Sequence, residues 1–256
     1  MRQDEIWDAD VAARYDTPGT GMFAPEVLGP VVDKLAALAG DGRALEFAVG
    51  TGRVAVPLRE RGIPVSGIEL SEPMVAVLRT KVDDQALPVT VGDMAQATAP
   101  GEFSLVYLVF NTISNLLTQE EQVACFRNAA RHLRPGGRFV IELWVPELRA
   151  LPPGQDAVVF GGRPGYFGLD HFDVVRQRLV SYHFEFDPER PDRREARVGR
   201  TPHRYIWPAE LDLMGQLAGF ALESRHADWT GGEFTAESRS HVSVYRLAGA
   251  AGSASA

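Results

Sequence analysis

LEFAVGTGRVAVPL, residues 45–58, runs from an apolar segment into Gly50 and Gly52 and on into a second apolar segment of helical texture. Gly50-x-Gly52-x-x-Ala55 after a strand candidate is a nucleotide-binding pattern: glycines admit a ligand to the backbone, and the following helix start offers unpaired N–H groups. A nicotinamide or flavin dinucleotide is the usual occupant of such a turn. Glu46 argues against it, because a carboxylate beside a pyrophosphate costs on the order of kilocalories at an effective dielectric near 20. A cofactor with a cationic group gains the same interaction.

Outward from this turn, residues 43 to 143 alternate short apolar runs with longer amphipathic ones, the mark of βαβ units and a parallel sheet. The strand candidates are Ala44–Phe47, Val65–Ile68, Val89–Val91, Leu105–Val109 and Arg138–Leu143. A helix is expected over Thr118–Leu133, stopped by Pro135-Gly136-Gly137. Two helices, at 4–14 and 25–39, precede the first strand around a Pro18–Gly21 turn. Beyond the linker Leu151-Pro-Pro-Gly154, β-type alternation near 156–160, 166–175, 178–187 and 194–206 predicts an antiparallel insert. A helix from Pro208 and strands at Phe220–Ser224 and His241–Leu247 then return to the sheet. The expected fold is α/β: a doubly wound Rossmann-like sheet with N-terminal helices and an antiparallel β insert. Its parts are a helical cap (1–40), a nucleotide-binding α/β domain (41–150 and 207–248), the insert as lid or substrate wall (151–206) and a disordered small-residue tail (249–256).

Composition narrows the partners. The chain has 256 residues, 45% hydrophobic, with a formal net charge of −8, so no basic field gathers nucleic acid or an anionic membrane, and a small molecule is the default partner. The single cysteine, Cys125, forms no internal disulfide and reads as core filler. The first residues lack a basic-then-apolar leader, which predicts a soluble cytoplasmic protein. Oligomeric state stays open.

Glu69, ending the second strand in GIELS, stands where a carboxylate accepts hydrogen bonds from ribose hydroxyls. Together with Glu46-Phe-Ala48-Val-Gly50-Thr-Gly52, the VGDM at 91–94, the LVYLVFN at 105–111 and the helix-RPGG-strand run from Arg131 to Leu143, the chain resembles class I S-adenosylmethionine-dependent methyltransferases. That family's first motif reads acid-x-Gly-x-Gly-x-Gly. Ala48 replaces its first glycine, which is tolerable if Ala48 keeps an ordinary backbone conformation. The resemblance implies S-adenosylmethionine as cofactor and S-adenosylhomocysteine as product. It places Glu46, Ala48, Gly50 and Gly52 at the methionine portion, Glu69 and Leu70 at the ribose, Met74, Asp93 and Met94 at the adenine, and Val109 and Phe110 at the reactive end. ARYDTPG resembles a helix end that closes over the methionine portion through a tyrosine, here Tyr15. Simpler roles remain open. Glu46 could be a surface acid paired with Arg43 or Arg53, Met74 a core residue beside Val77 and Leu78, Asp93 a turn former and Tyr15 a buried anchor.

FNTISNLL, residues 110–117, resembles the fourth-strand exit of sugar-amine N-methyltransferases from antibiotic pathways, where a histidine can stand near the acceptor. The matching slot holds Asn115, and an amide is not a base. Catalysis by proximity and desolvation is therefore expected, with Tyr15, Phe110 and Asn115 as its residues. Asn111, Trp144, Phe167 and His171 are the expected acceptor-side residues. For His183 and His203, on β-type segments, a structural or solvent-facing role is the simpler reading. The histidines are dispersed and Cys125 is alone, so no metal site is expected. Residues 176 to 204 hold eight arginines against five acids, among the arginines Arg193, Arg194 and Arg197, either meeting an anionic substrate group or forming a solvated hairpin. The expected function is N-methylation of a small natural-product amine. Small-molecule O-methylation is the near alternative, and a nicotinamide oxidoreductase or a non-catalytic cofactor-binding protein the remote ones.

Overall fold

The computed structural model describes residues 6–187 and 195–249. The first residues of the expected 4–14 helix, most of the 187–192 turn, Arg193, Arg194 and nearly all of the expected tail lie outside the described residues.

Seven strands form the main sheet: β1 (Ala44–Phe47), β2 (Val65–Glu69), β3 (Val89–Val91), β4 (Phe103–Leu108), β5 (Leu133–Trp144), β10 (Phe220–His226) and β11 (Ser240–Leu247), in the order β10-β11-β5-β4-β1-β2-β3. β1, β2 and β4 are buried at every residue, because helices cover both faces of a parallel sheet. Only β11 runs against its neighbours. Leu45, Phe47, Val106 and Leu108 face α5 (Gln119–His132) and α6 (Pro208–Leu217). Ala44, Leu105 and Tyr107 face α2 (Pro25–Ala39), α3 (Ala55–Glu60) and α4 (Glu72–Arg79). The fold class read from the sequence is the one observed.

The proline-glycine run does not act as the expected stop. α5 ends at His132 and β5 begins at once with Leu133, so Pro135-Gly136-Gly137 lies inside the strand. It is absorbed as a register shift against β4, where Phe103 pairs with Leu133 but Leu105 already pairs with Arg138. Gly136 supplies the left-handed residue this needs, at φ 75°. Cys125 is fully buried in α5, its thiol pushed up by desolvation.

The insert is a second, four-stranded antiparallel sheet of β6 (Ala157–Arg163), β7 (Tyr166–Asp173), β8 (Arg178–Phe186) and β9 (Ala196–Arg204). Arg204 fastens it to the main body. Its Nη1 donates to Gln122 Oε1 at 2.6 Å and its Nη2 meets Glu210 Oε1 at 2.7 Å, while Gln122 Nε2 donates to Leu116 O at 2.9 Å and Arg204 O at 3.2 Å. Elsewhere Arg176 pairs with Asp173 and Arg200 lies over the Tyr182 ring, while Arg178 Nε donates to Leu117 O at 3.2 Å and adds a second tie to the main body. Among the described residues no helix is long and apolar enough to cross a membrane.

α5 also holds the loop that follows β3. Asn128 Nδ2 donates to Met94 O at 2.8 Å and Ala97 O at 2.9 Å, and His132 Nε2 accepts from Ala99 N at 2.9 Å. Replacing Asn128 by Ala strands two buried carbonyls, for a cost of about 2 kcal/mol. That corresponds to a fall in Tm of about 4–8 °C for a domain of this size, which thermal unfolding followed by circular dichroism measures directly.

Candidate active site

The turn after β1 carries Gly50 at φ 56° and Gly52 at φ 82°. A side chain on Gly52 would meet Leu78 at 2.3 Å. Ala48 does not keep the ordinary backbone expected of it. At φ 53° it sits in the left-handed region, a cost of about 1–2 kcal/mol for an L residue, so the position retains the conformation of the missing glycine. Glu69 closes the turn from below: Oε2 accepts from Gly50 N and Oε1 from Ser71 N, each at 2.8 Å. Desolvation holds this buried carboxyl above its usual range.

Glu46 is 3% exposed, so it is no surface acid. It pairs in register with Tyr107 across β1 and β4, and the Tyr107 hydroxyl donates to its Oε2 at 2.9 Å. Ala55 N, at the start of α3, also binds it. Burial pushes its pKa up to about 8, against the smaller opposing pulls of Tyr107 and Arg53. The glycine turn thus lies over two buried acids, and in the empty site Glu46 holds its proton through neutral pH, ready to ionise against a bound cation.

At the exit of β4, Phe110 (φ 54°) and Asn111 (φ 63°) are both left-handed, a rare conformation for a bulky aromatic. β5 enforces it: Phe110 N donates to Glu142 Oε2 at 2.7 Å, and Asn111 Oδ1 accepts from Trp144 N at 2.7 Å. The strain leaves the Phe110 ring 46% exposed on the cavity wall, under the Arg53 guanidinium at 5.5 Å.

α1 (Ala9–Tyr15) closes the site from above. Tyr15 meets Trp7 and Phe23 edge-to-face, with centroids at 6.0 and 6.1 Å, and burial raises its phenol pKa. Asp16 accepts from Thr51 Oγ1 at 2.6 Å and pairs with Lys81, while Ser71 Oγ donates to Trp7 O at 2.6 Å.

Between these parts lie two adjoining cavities. The larger, about 540 Å³, is bordered by Tyr15, Ala48, Gly50, Glu69, Met74, Phe110, Asn111, Asn115 and Trp144. The second, about 500 Å³, is bordered by Leu70, Asp93 and Met94 and shares Ala48, Glu69 and Asn115 with the first. Asp93 Oδ1 is taken by Ala95 N at 2.8 Å. Glu46, Gly52 and Val109 lie behind the lining rather than on it.

Phe167 and His171 are not on the wall, which corrects their reading as acceptor-side residues. Side chains alternate along β7, and Asp170 of this strand borders the cavity, so the odd-numbered Phe167 and His171 face the other way. Phe167 packs on Phe184, and His171 is an exposed partner of Asp156. The wall is instead built from Phe160, Asp170, Ser181, His183, Thr201 and His203, joined by Trp7 and Thr112. Ser181 Oγ donates to Asp170 Oδ1 at 2.6 Å, and His183 Nδ1 meets the Tyr166 hydroxyl at 2.8 Å. Desolvation lowers the pKa of His183 and brings that of His203 down to about 4, so both rings are neutral near pH 7. Strand parity would place Asp170 and Ser181 only once the inward face of the insert is known; Trp7 and Thr201 carry no sequence signal of their own.

The sequence pattern of a methyltransferase domain matches residues 44–137. The solved structure of the CcbJ methyltransferase from Streptomyces caelestis is 35% identical over 94% of this chain and 96% of that one, with a TM-score of 0.80. The chain belongs to the S-adenosylmethionine-dependent methyltransferases. A cypemycin N-terminal methyltransferase from a Streptomyces species is 28% identical over 95% of this chain and 98% of that protein. A dTDP-3-amino-3,4,6-trideoxy-α-D-glucopyranose N,N-dimethyltransferase from Streptomyces venezuelae is 36% identical over 41% of this chain and 44% of its own. The cofactor is S-adenosylmethionine. The residues fit it: a phosphate-free cation suits a turn backed by two buried acids, and Glu69 borders both adjoining cavities.

Folded Glu46 titrates near 8 against 4.5 when unperturbed, so the stability it contributes is fully present below about 4.5 and lost as pH rises through about 8. Glu46→Gln removes this loss. In the ligand-free protein at pH 8 the variant is expected to melt higher than wild type, by about 2–4 °C per kcal/mol recovered. Calorimetric titration with S-adenosylhomocysteine is expected to show at least tenfold weaker binding. A variant that binds as tightly as wild type would remove Glu46 from the cofactor argument.

Proposed function

We propose that this methyltransferase N-methylates an amine of a small natural product, such as an amino sugar or a related scaffold, in antibiotic biosynthesis in the cytoplasm. The carrying observation is the state of the bases around the larger cavity. An alcohol must lose its proton to attack a methyl group, and that calls for a base poised near the working pH. His203 is held at about 4 and His183 is lowered as well. A neutral amine already has its lone pair. Asp170, half-buried on the same wall, supplies a carboxylate that attracts a cationic amine, while nothing on the wall rejects a hydroxyl-bearing scaffold. The names of the cypemycin enzyme and of the amino-sugar dimethyltransferase support the same chemistry.

S-adenosylmethionine supplies a methyl group on a sulfonium. In this reading Glu46 answers the donor's α-ammonium, with Ala48, Gly50 and Gly52 shaping the turn around it. Glu69 and Leu70 hold the ribose, and Asp93, Met94 and Met74 flank the base. Val109 and Phe110 bound the reacting end, and Tyr15, Phe110 and Asn115 orient the acceptor nitrogen and keep water out. Asn111 and Trp144 border the acceptor, and residues 151–206 serve as its wall. The rate then comes from placing a lone pair in line with the sulfur in a dry site. The overall charge of −8 agrees with a small-molecule partner rather than nucleic acid or membrane.

A panel of primary and secondary amines, amino sugars and peptide N-termini, set against the matching alcohols, tests this by release of S-adenosylhomocysteine. Amines are expected to turn over, with kcat/KM rising about tenfold per pH unit below the amine pKa as the free base becomes available. Turnover of alcohols with the amines inert would overturn the proposal.

A further inference from the structure

The amine reading names no group that accepts a hydrogen bond from an N–H of the acceptor, and the element opposite Asn115 supplies one. Ser114 and Asn115 lie on a short 3-10 turn after β4, and β9 packs against that turn with His203 inward. Ser114 Oγ donates its one proton to Asn111 O at 2.6 Å, and it lies 3.2 Å from His203 Nδ1. With that proton spent, the hydroxyl can only accept from the ring, so His203 carries its hydrogen on Nδ1 and a bare lone pair on Nε2. Trp144 meets the ring edge-on at 5.4 Å and fixes its plane. Among the described residues Nε2 has no protein partner, yet it is not sealed in the interior, and His203 borders the larger cavity together with Asn115.

Resting on the amine-methylation reading, we propose that His203 Nε2 is the hydrogen-bond acceptor that seats an N–H of the acceptor amine, with Ser114 as the positioning residue that fixes its tautomer. The imidazole that Asn115 lacks is thus supplied from the insert. Its role is seating rather than proton abstraction. Burial keeps the ring near a pKa of 4, whereas an alkylammonium lies near 10, so direct transfer is unfavourable by about a millionfold. The ammonium gives its proton to water, and the neutral amine points one N–H at Nε2, leaving its lone pair free. As the N–C bond forms, the C–S electron pair leaves with sulfur and the nitrogen becomes the product ammonium. An uncharged ring is also the form compatible with a sulfonium nearby.

The test begins without an acceptor in hand. Nitrogen-15 imidazole spectra of the full-length protein saturated with S-adenosylhomocysteine are expected to show His203 protonated on Nδ1 only, with the Nε2 signal moving when methylamine is added. Ser114→Ala is expected to mix the tautomers while leaving S-adenosylhomocysteine affinity unchanged, and Ser114→Thr to restore the single form. With an amine that turns over, His203→Phe is expected to lose at least a hundredfold in kcat/KM without weakening S-adenosylhomocysteine binding, and His203→Gln to recover part of the loss. A hydrogen on Nε2, an Nε2 signal indifferent to methylamine, or wild-type turnover by His203→Phe would each overturn the seat. Absence of turnover with every amine would strike the amine reading instead, and the tautomer measurement would still decide whether Nε2 is free to accept.

Discussion

The active-site wall depends on one buried cation. Arg204 closes the last strand of the insert, and its guanidinium is shared between the Gln122 amide of α5 and the Glu210 carboxylate of α6. A buried ion pair adds little net stability, but losing one partner leaves a desolvated charge and costs several kcal/mol. The interaction therefore acts as a register pin: it tolerates one docking of the insert and penalises others. Gln122 extends the pin, since the same amide binds the carbonyls of Leu116 and Arg204, joining the turn after β4 to the insert. The apolar contact of Phe172, Leu179 and Tyr205 with Trp144 and Leu148 fills the joint but has no comparable directionality.

With the insert pinned, the cavity divides by charge. Its floor, under the glycine turn, carries the buried carboxyls of Glu46 and Glu69, whose ionised forms burial disfavours until a cation is bound. Its far wall is made of neutral imidazoles, hydroxyls and one half-buried carboxylate. A cation bound at the floor meets no positive side chain on the wall, because desolvation has already discharged the two histidines. In the proposed reaction the positive charge is thus brought by the ligands, and the protein supplies shape and lone pairs.

Much of this was legible in the sequence. β1 and β3 fall on the residues expected, β1 because a buried parallel strand reads as an apolar run ending near glycine, and β3, a half-exposed edge strand, because its β-branched Val-Thr-Val run ends at Gly92. The acid before the glycines was legible through its charge. Three things were not. Ala48 hides its left-handed φ, since a methyl side chain carries no mark of backbone conformation. Pro135-Gly136-Gly137 reads as a terminator, whereas a strand paired on both sides carries it as an irregularity. Phe167 and His171 were misplaced because the insert has apolar and polar residues on both faces, so alternation identifies the strands without saying which parity looks inward. That choice is made by Arg204 and Gln122, across 82 residues of chain.

The closing helix α1 has a kinetic meaning. Besides the burial of Ala12 and the packing of Tyr15 on Phe23, it is held by two hydrogen bonds and an ion pair, through Asp16, Thr51, Lys81, Trp7 and Ser71, and these touch the glycine turn and the two ends of α4 rather than the sheet. Polar contacts of this kind contribute about 1 kcal/mol each. Because none of these contacts involves the sheet, the helix can lift as a segment, a motion of the microsecond-to-millisecond class, and admit or release a ligand without disturbing the core.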